Sequence, residues 1–127
     1  MREILFRGKR FDNGEWAYGY FIASVLKGSV FGYIKQSNTA DDVKVYKKTV
    51  GQFTGLYDKN GTKIFEGDIV KGKDYLEEGL EVYGYIDHRN GSFVIVGNFL
   101  IHYRWLDYEV EVIGNIHDNR LEDFNGD

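Results

Sequence analysis

At 127 residues the chain is long enough for one domain, or two closely packed subdomains, to bury a core without disulfide or metal. The absence of cysteine excludes a disulfide framework, a thiolate zinc site and a thiol nucleophile, while 10 Tyr, 9 Phe and 16 Gly with no Pro favour pleated sheets joined by glycine turns. The formal net charge of −4 is unevenly spread: Met1 to Lys63 holds 11 Lys/Arg against 6 Asp/Glu, and Ile64 to Asp127 holds 5 against 14.

Met1 to Arg10 alternates charged and apolar residues, without the continuous apolar stretch of a secretory signal. No apolar run approaches the roughly 18 residues of a membrane span, so a cytoplasmic protein with no membrane contact is expected. Ile4 to Phe11 and Trp16 to Ile22 are β-favouring runs around Asp12-Asn13-Gly14-Glu15. A two-residue Asn13-Gly14 turn would set Phe11 opposite Trp16, Lys9 opposite Tyr18 and Arg7 opposite Tyr20. Asp12 would then oppose Glu15, a like-charge pair that favours a longer loop. Val25 to Ile34 reads as a strand region broken by Gly28 and Gly32, and Gln36 to Asp42 as a mobile loop. Val43 to Val50 alternates like an edge strand protected by lysines.

Around Asn60-Gly61, the same turn would pair Asp58 with Lys63, Tyr57 with Ile64 and Leu56 with Phe65. Gly67-Asp68 then turns the chain into a strand at Ile69-Val70, with Asp68 hydrogen-bonding the turn. Asp74 to Leu80 reads as an acidic connector with room for one helical turn. The third turn, Asn90-Gly91, would set Ile86 opposite Ile95 and His88 opposite Phe93. Phe99 to Tyr108 is dense in aromatics, Glu109 to Ile116 alternates charge with apolar residues, and the chain beyond His117 turns polar. The expected architecture is all-β: an N-terminal β-meander over 1–50 packed on a C-terminal SH3-like, partly open small barrel over 51–117. A polar tail, 118–127, completes a single unit of 1–127.

Chemical signatures are sparse. His88, His102 and His117 have no metal-ligand spacing, and His117 with Asp118 reads as surface chemistry. Asp107, Glu109 and Glu111 would share one strand face, a row that can hold Mg²⁺ or Mn²⁺ but is more often a solvated edge. There is no phosphate-cradling glycine motif and no nucleophile elbow. Neither a cofactor, a bound metal nor a catalytic residue is expected. The remaining candidate is the basic–aromatic ladder of Arg7, Lys9, Trp16, Tyr18 and Tyr20, whose residue types stack bases and neutralise phosphates in single-strand binders. Cross-strand cation–π packing is the plainer explanation of the same residues, and the overall acidity supports it.

Met1 to Arg10, then Gly14-Glu15-Trp16-Ala17-Tyr18-Gly19-Tyr20, resemble the opening of the YopX-like family of phage and prophage proteins. Thr49 to Gly61, continuing through Ile64-Phe65-Glu66-Gly67-Asp68-Ile69-Val70, and the closing Glu109 to Asn119 resemble the same family. The resemblance implies a β-rich protein of phage origin inside a bacterial host, and brings no enzymatic activity or catalytic residue with it. The expected function is therefore a non-enzymatic phage accessory protein acting by binding, as a homo-oligomer, on an unidentified host or phage protein. Its oligomer interface would lie at Phe99, Tyr103, Trp105 and Tyr108. Single-stranded nucleic-acid binding through the basic–aromatic face is the first alternative, and a divalent-metal hydrolase using Asp107, Glu109 and Glu111 the second.

Overall fold

The computed structural model describes residues 4–23, 26–36, 42–74, 80–97, 101–102, 109–120 and 123–124. The regular structure there is mainly strand, with a 3-10 turn at Lys47–Thr49. The chain divides into two units, Met1–Gly55 and Leu56–Asp127. The charge asymmetry follows this division: the first unit holds 9 Lys/Arg and 5 Asp/Glu, the second 7 and 15.

The strands are β1 (Phe6–Lys9), β2 (Trp16–Ala23), β3 (Phe31–Lys35), β4 (Asp42–Tyr46) and β5 (Gly51–Tyr57), then β6 (Lys63–Phe65), β7 (Asp68–Asp74), β8 (Leu80–Arg89), β9 (Ser92–Val96), β10 (Ile101–His102) and β11 (Glu109–Asn115). One antiparallel sheet runs β4-β3-β2-β1-β5-β6 and the other β10-β9-β8-β7-β11. Both are open. Neither sheet closes into a barrel, and the all-β expectation holds in the form of two antiparallel sheets.

In the first unit β1 to β4 form a meander, and β5 pairs with the free side of β1 through Phe6–Gln52 and Arg7–Gly51. Small residues line the inner face of β1 and β2. A side chain at Gly8 would press within 3.1 Å of Val45 and Val50, and Ala17 is fully buried. Without bulk there, the meander coils until β4 meets the end of β1. Arg10 bridges Val45, and the Phe11 N–H donates to the Lys44 carbonyl at 2.9 Å. Ile34 and Val45 complete this buried core with Ala17, under Phe6, Phe21, Val43 and Val50. Strand β4 ends at Tyr46 because one further step of alternation would turn Lys47 toward the face that buries Val45. The 3-10 turn carries Lys47 outward instead.

In the second unit Ile64, Val70, Ile86, Ile95 and Val110, one apolar residue from each of five strands, form a buried cluster among the described residues. Gly67 turns the chain at φ 93°, donating to the Ile86 carbonyl and accepting from the Ile116 N–H, both at 2.8 Å. Asp68 closes the turn as expected, its buried carboxylate accepting the Phe65 N–H at 2.7 Å. The connector read between Asp74 and Leu80 lies, over 75–79, outside the described residues.

The three Asn-Gly turns differ. Asn90-Gly91 is the expected two-residue turn, with φ 52° and 82°, and Ile86 opposes Ile95 while His88 opposes Phe93. Asn13-Gly14 is not. The Arg10 N–H donates to the Glu15 carbonyl, and Lys9, rather than Phe11, faces Trp16. Asp12 escapes Glu15 by turning back onto Arg10, at 2.8 and 2.9 Å. Asn60-Gly61 also departs from the expected register. The Asp58 N–H donates to the Thr62 carbonyl at 2.8 Å and the Gly61 N–H to the Asp58 carbonyl at 3.0 Å, a type I turn followed by a glycine bulge. Lys63 consequently reaches Tyr57, not Asp58, with its Nζ 3.1 Å from the phenol oxygen.

Candidate functional site

The ladder read from the first hairpin exists, displaced by two residues. Arg7 faces Tyr18 and Lys9 faces Trp16. A shift of two conserves strand alternation, so Arg7, Lys9, Trp16, Tyr18 and Tyr20 still share one face. Its inner end is packed: the Arg7 guanidinium carbon lies 4.4 Å from the centre of the Trp16 ring, and Lys9 Nζ 5.4 Å. Arg7 is only 7% exposed, whereas Tyr18 is 45% and Tyr20 61% exposed. The plain explanation, cation–π packing, therefore accounts for Arg7, Lys9 and Trp16, while part of each tyrosine faces solvent.

Strands β3 and β4 extend the same face. Tyr20 opposes Lys35, which opposes Asp42; Ile22 opposes Tyr33, which opposes Lys44; and Phe31 opposes Tyr46. Lys44 lies over two rings, its Nζ 4.1 Å from the centre of Phe31 and 4.7 Å from that of Phe11. Phe11, Phe31 and Tyr46 form one aromatic corner with ring centres 5.1 to 5.9 Å apart. On β1 to β4 this face carries Arg7, Lys9, Lys35 and Lys44 against the single acid Asp42. Flat rings that remain exposed, interleaved with cations, can stack bases and meet phosphates.

The share of β3 and β4 goes beyond the sequence reading, because Gly28 and Gly32 suggested a broken strand there. The signal was present in Phe31-Gly32-Tyr33-Ile34-Lys35, whose odd positions point out. Gly32 does not break the strand. It lies under the Phe21 ring, 2.5 Å from where a side-chain carbon would stand.

The remaining candidates are not assembled into a site among the described residues. Asp107 lies outside them, as do Phe99, Tyr103, Trp105 and Tyr108. Glu109 faces Lys73, which faces Glu81, and Glu111 faces Lys71. These carboxylates thus alternate with lysines across β11, β7 and β8. Among the described residues no three His, Cys, Asp or Glu side chains converge as metal ligands. His88 packs edge-on against Phe93 at 4.9 Å, His102 lies on β10, and the His117 N–H donates to Asn115 Oδ1 at 3.0 Å. Asp118 Oδ2 accepts from the Asn115 amide at 2.9 Å.

Asp58 is a carboxylate of the second unit that accepts three backbone N–H groups. Its Oδ1 accepts from the Asn60 and Thr62 N–H groups at 2.8 and 2.9 Å, and its Oδ2 from the Val112 N–H at 2.9 Å. Burial pushes its pKa up, but the bonds from Val112, Thr62 and Asn60 outweigh this and hold it below the ordinary carboxylate value. Asp58 ties the turn to β11 and so has a structural task.

With this geometry in view, a family model described as YopX protein matches residues 5–122. The chain belongs to the YopX protein family. That match spans most of both units and bears out the resemblance read from the opening, middle and closing segments. Among solved structures, the YopX chain is similar to protein EF1440 from Enterococcus faecalis, with 24% identity and a TM-score of 0.53 over 94% of this chain and 96% of that one. A likeness at that identity shows the fold. None of the curated proteins matches this YopX chain. No helix among its described residues is long and apolar enough to cross a membrane.

Proposed function

We propose that this YopX-family protein is a non-catalytic phage accessory protein of the bacterial cytoplasm that binds single-stranded nucleic acid on the outer face of β1 to β4. The supporting observation is the exposure of Tyr18, Tyr20 and Tyr33 in a field of Lys35 and Lys44, since apolar rings left in solvent beside cations cost solvation unless a partner covers them. The bases stack on Tyr20 and Tyr33, and the lysines meet the phosphates between them. Stacking tolerates every base, so this face binds with little sequence preference.

Fluorescence anisotropy with a labelled oligothymidylate, titrated at several salt concentrations, tests the reading. Tyr20→Ala and Tyr33→Ala should each cost roughly 1–3 kcal/mol. Lys35→Ala and Lys44→Ala should each lower the salt slope by about 0.7. Absence of binding at low salt, or unchanged affinity in the tyrosine variants, overturns it. Arg7 is a poor probe because it is packed into the sheet.

The charge division favours a second reading, self-assembly. A first unit with 9 Lys/Arg and 5 Asp/Glu complements a second with 7 and 15, so copies can associate head to tail. Light scattering should find an oligomer that dissociates as salt rises; a monomer at every salt and protein concentration removes the idea.

A further inference from the structure

Beyond the last pair of the β3–β4 ladder, Phe31 opposite Tyr46, the two strands share one more bond, from the Lys47 N–H to the Val30 carbonyl at 2.9 Å. The chain then winds into the 3-10 turn, which is anchored from within. Thr49 is buried; its Oγ1 donates to the Tyr46 carbonyl at 2.6 Å and accepts the Lys9 N–H at 2.8 Å. With Thr49 held inward, Lys47 and Lys48 are both turned to solvent. A cavity of about 580 Å³ opens at this corner, lined among the described residues by Val30, Tyr46, Lys47 and Lys48. Its described walls include two cations and no acid. Val30 remains 63% exposed.

The cavity adjoins the aromatic corner of the outer face, since the Tyr46 ring on its wall also packs 5.6 Å from Phe31 and 5.9 Å from Phe11. We propose that it is a nucleotide subsite at the end of the stacking path: one base enters beside Tyr46 and Val30, and Lys47 and Lys48 hold the phosphates on either side. This deepens the nucleic-acid reading above and rests on it. The match is one of chemistry. A flat apolar group carrying anions suits described walls made of Val30, the Tyr46 ring and two adjacent cations, and Phe31, packed on Tyr46, stands two residues from Tyr33 on the same strand face. The carboxylate of a fatty acid needs only one of the lysines.

The full-length ¹⁵N-labelled protein is titrated with thymidine 5′-monophosphate, with a decathymidylate and, separately, with a medium-chain fatty acid. The mononucleotide should shift the amides of Val30 and Tyr46 to Lys48 before those of β2, and the decamer should shift both regions. The Lys47→Ala/Lys48→Ala double variant should bind the decamer about tenfold more weakly and lose about 1.4 of salt slope, two phosphates' worth. Val30→Trp, which fills the cavity from an exposed position, should abolish the mononucleotide shifts while Tyr20 and Tyr33 still respond to the decamer. If the decamer shifts β2 and β3 alone and neither variant changes its affinity, the subsite is refuted while the face survives. If no decamer binds at low salt, both fall. Shifts at the cavity with the fatty acid but not with the mononucleotide overturn the assignment in favour of an acyl ligand.

Discussion

Replacing Asp58 by Asn alters one oxygen of a carboxylate that organises both its own turn and a strand 54 residues away. The amide oxygen can still accept from Asn60 and Thr62, but an NH2 group then points at the Val112 N–H, donor against donor. A bond to a charged acceptor contributes roughly 1.5–3 kcal/mol, and the two that survive weaken when the acceptor becomes neutral. Together these give a destabilisation of about 2–4 kcal/mol at pH 7. Its pH dependence follows from the lowered pKa. Because the folded-state value lies below the ordinary 3.8, the stabilisation is fully present above pH 3.8 and is lost as pH falls through the folded value. Urea unfolding of wild type and Asp58→Asn, with hydrogen exchange at the Val112 amide reporting on the second unit, should show a large gap at pH 7 that narrows below pH 3.8. A gap under about 0.5 kcal/mol at pH 7, or one that stays constant into acid, would refute this account of the carboxylate.

Gly19→Ala and Gly91→Ala should part company in thermal unfolding. A side chain at Gly19 would stand 2.0 Å from the Lys35 backbone oxygen, so β2 and β3 must separate at a cost of about 3 kcal/mol or more. At Gly91 nothing lies within 4 Å, and only the positive φ of 82° opposes alanine, costing about 1–2 kcal/mol. Glu109→Lys places like charges opposite one another at Lys73 and should cost roughly 0.2–1 kcal/mol at low salt, the loss fading as salt is raised. Ile95→Ala, in the buried core of the second unit, should cost about 2–5 kcal/mol by denaturant melt.

Much of the local structure was legible because it depends on near neighbours. Strand alternation placed Arg7, Lys9, Trp16, Tyr18 and Tyr20 on one face, and this survived a wrong register because a two-residue slip preserves parity. The Asn90-Gly91 hairpin was read correctly since nothing competes with its turn. At Asn60-Gly61 the same dipeptide failed as a guide. Asp58 offered its carboxylate to the Asn60 and Thr62 amides, favouring a type I turn with a bulge over the two-residue form, and Val112 reinforced that choice from a distant strand.

Composition and alternation by themselves therefore determined an all-β chain, its hairpins and the chemistry of the first ladder, because period, turn residues and aromatic content act within a few residues. Only the tertiary structure decided that the second sheet stays open and that β4 curls back to Arg10 over Gly8. It also decided that Tyr33, Lys35 and Lys44 join Tyr18 and Tyr20 on one surface. Those outcomes depend on which strands meet. That in turn depends on how closely backbones can approach where glycine leaves room, which no local pattern encodes.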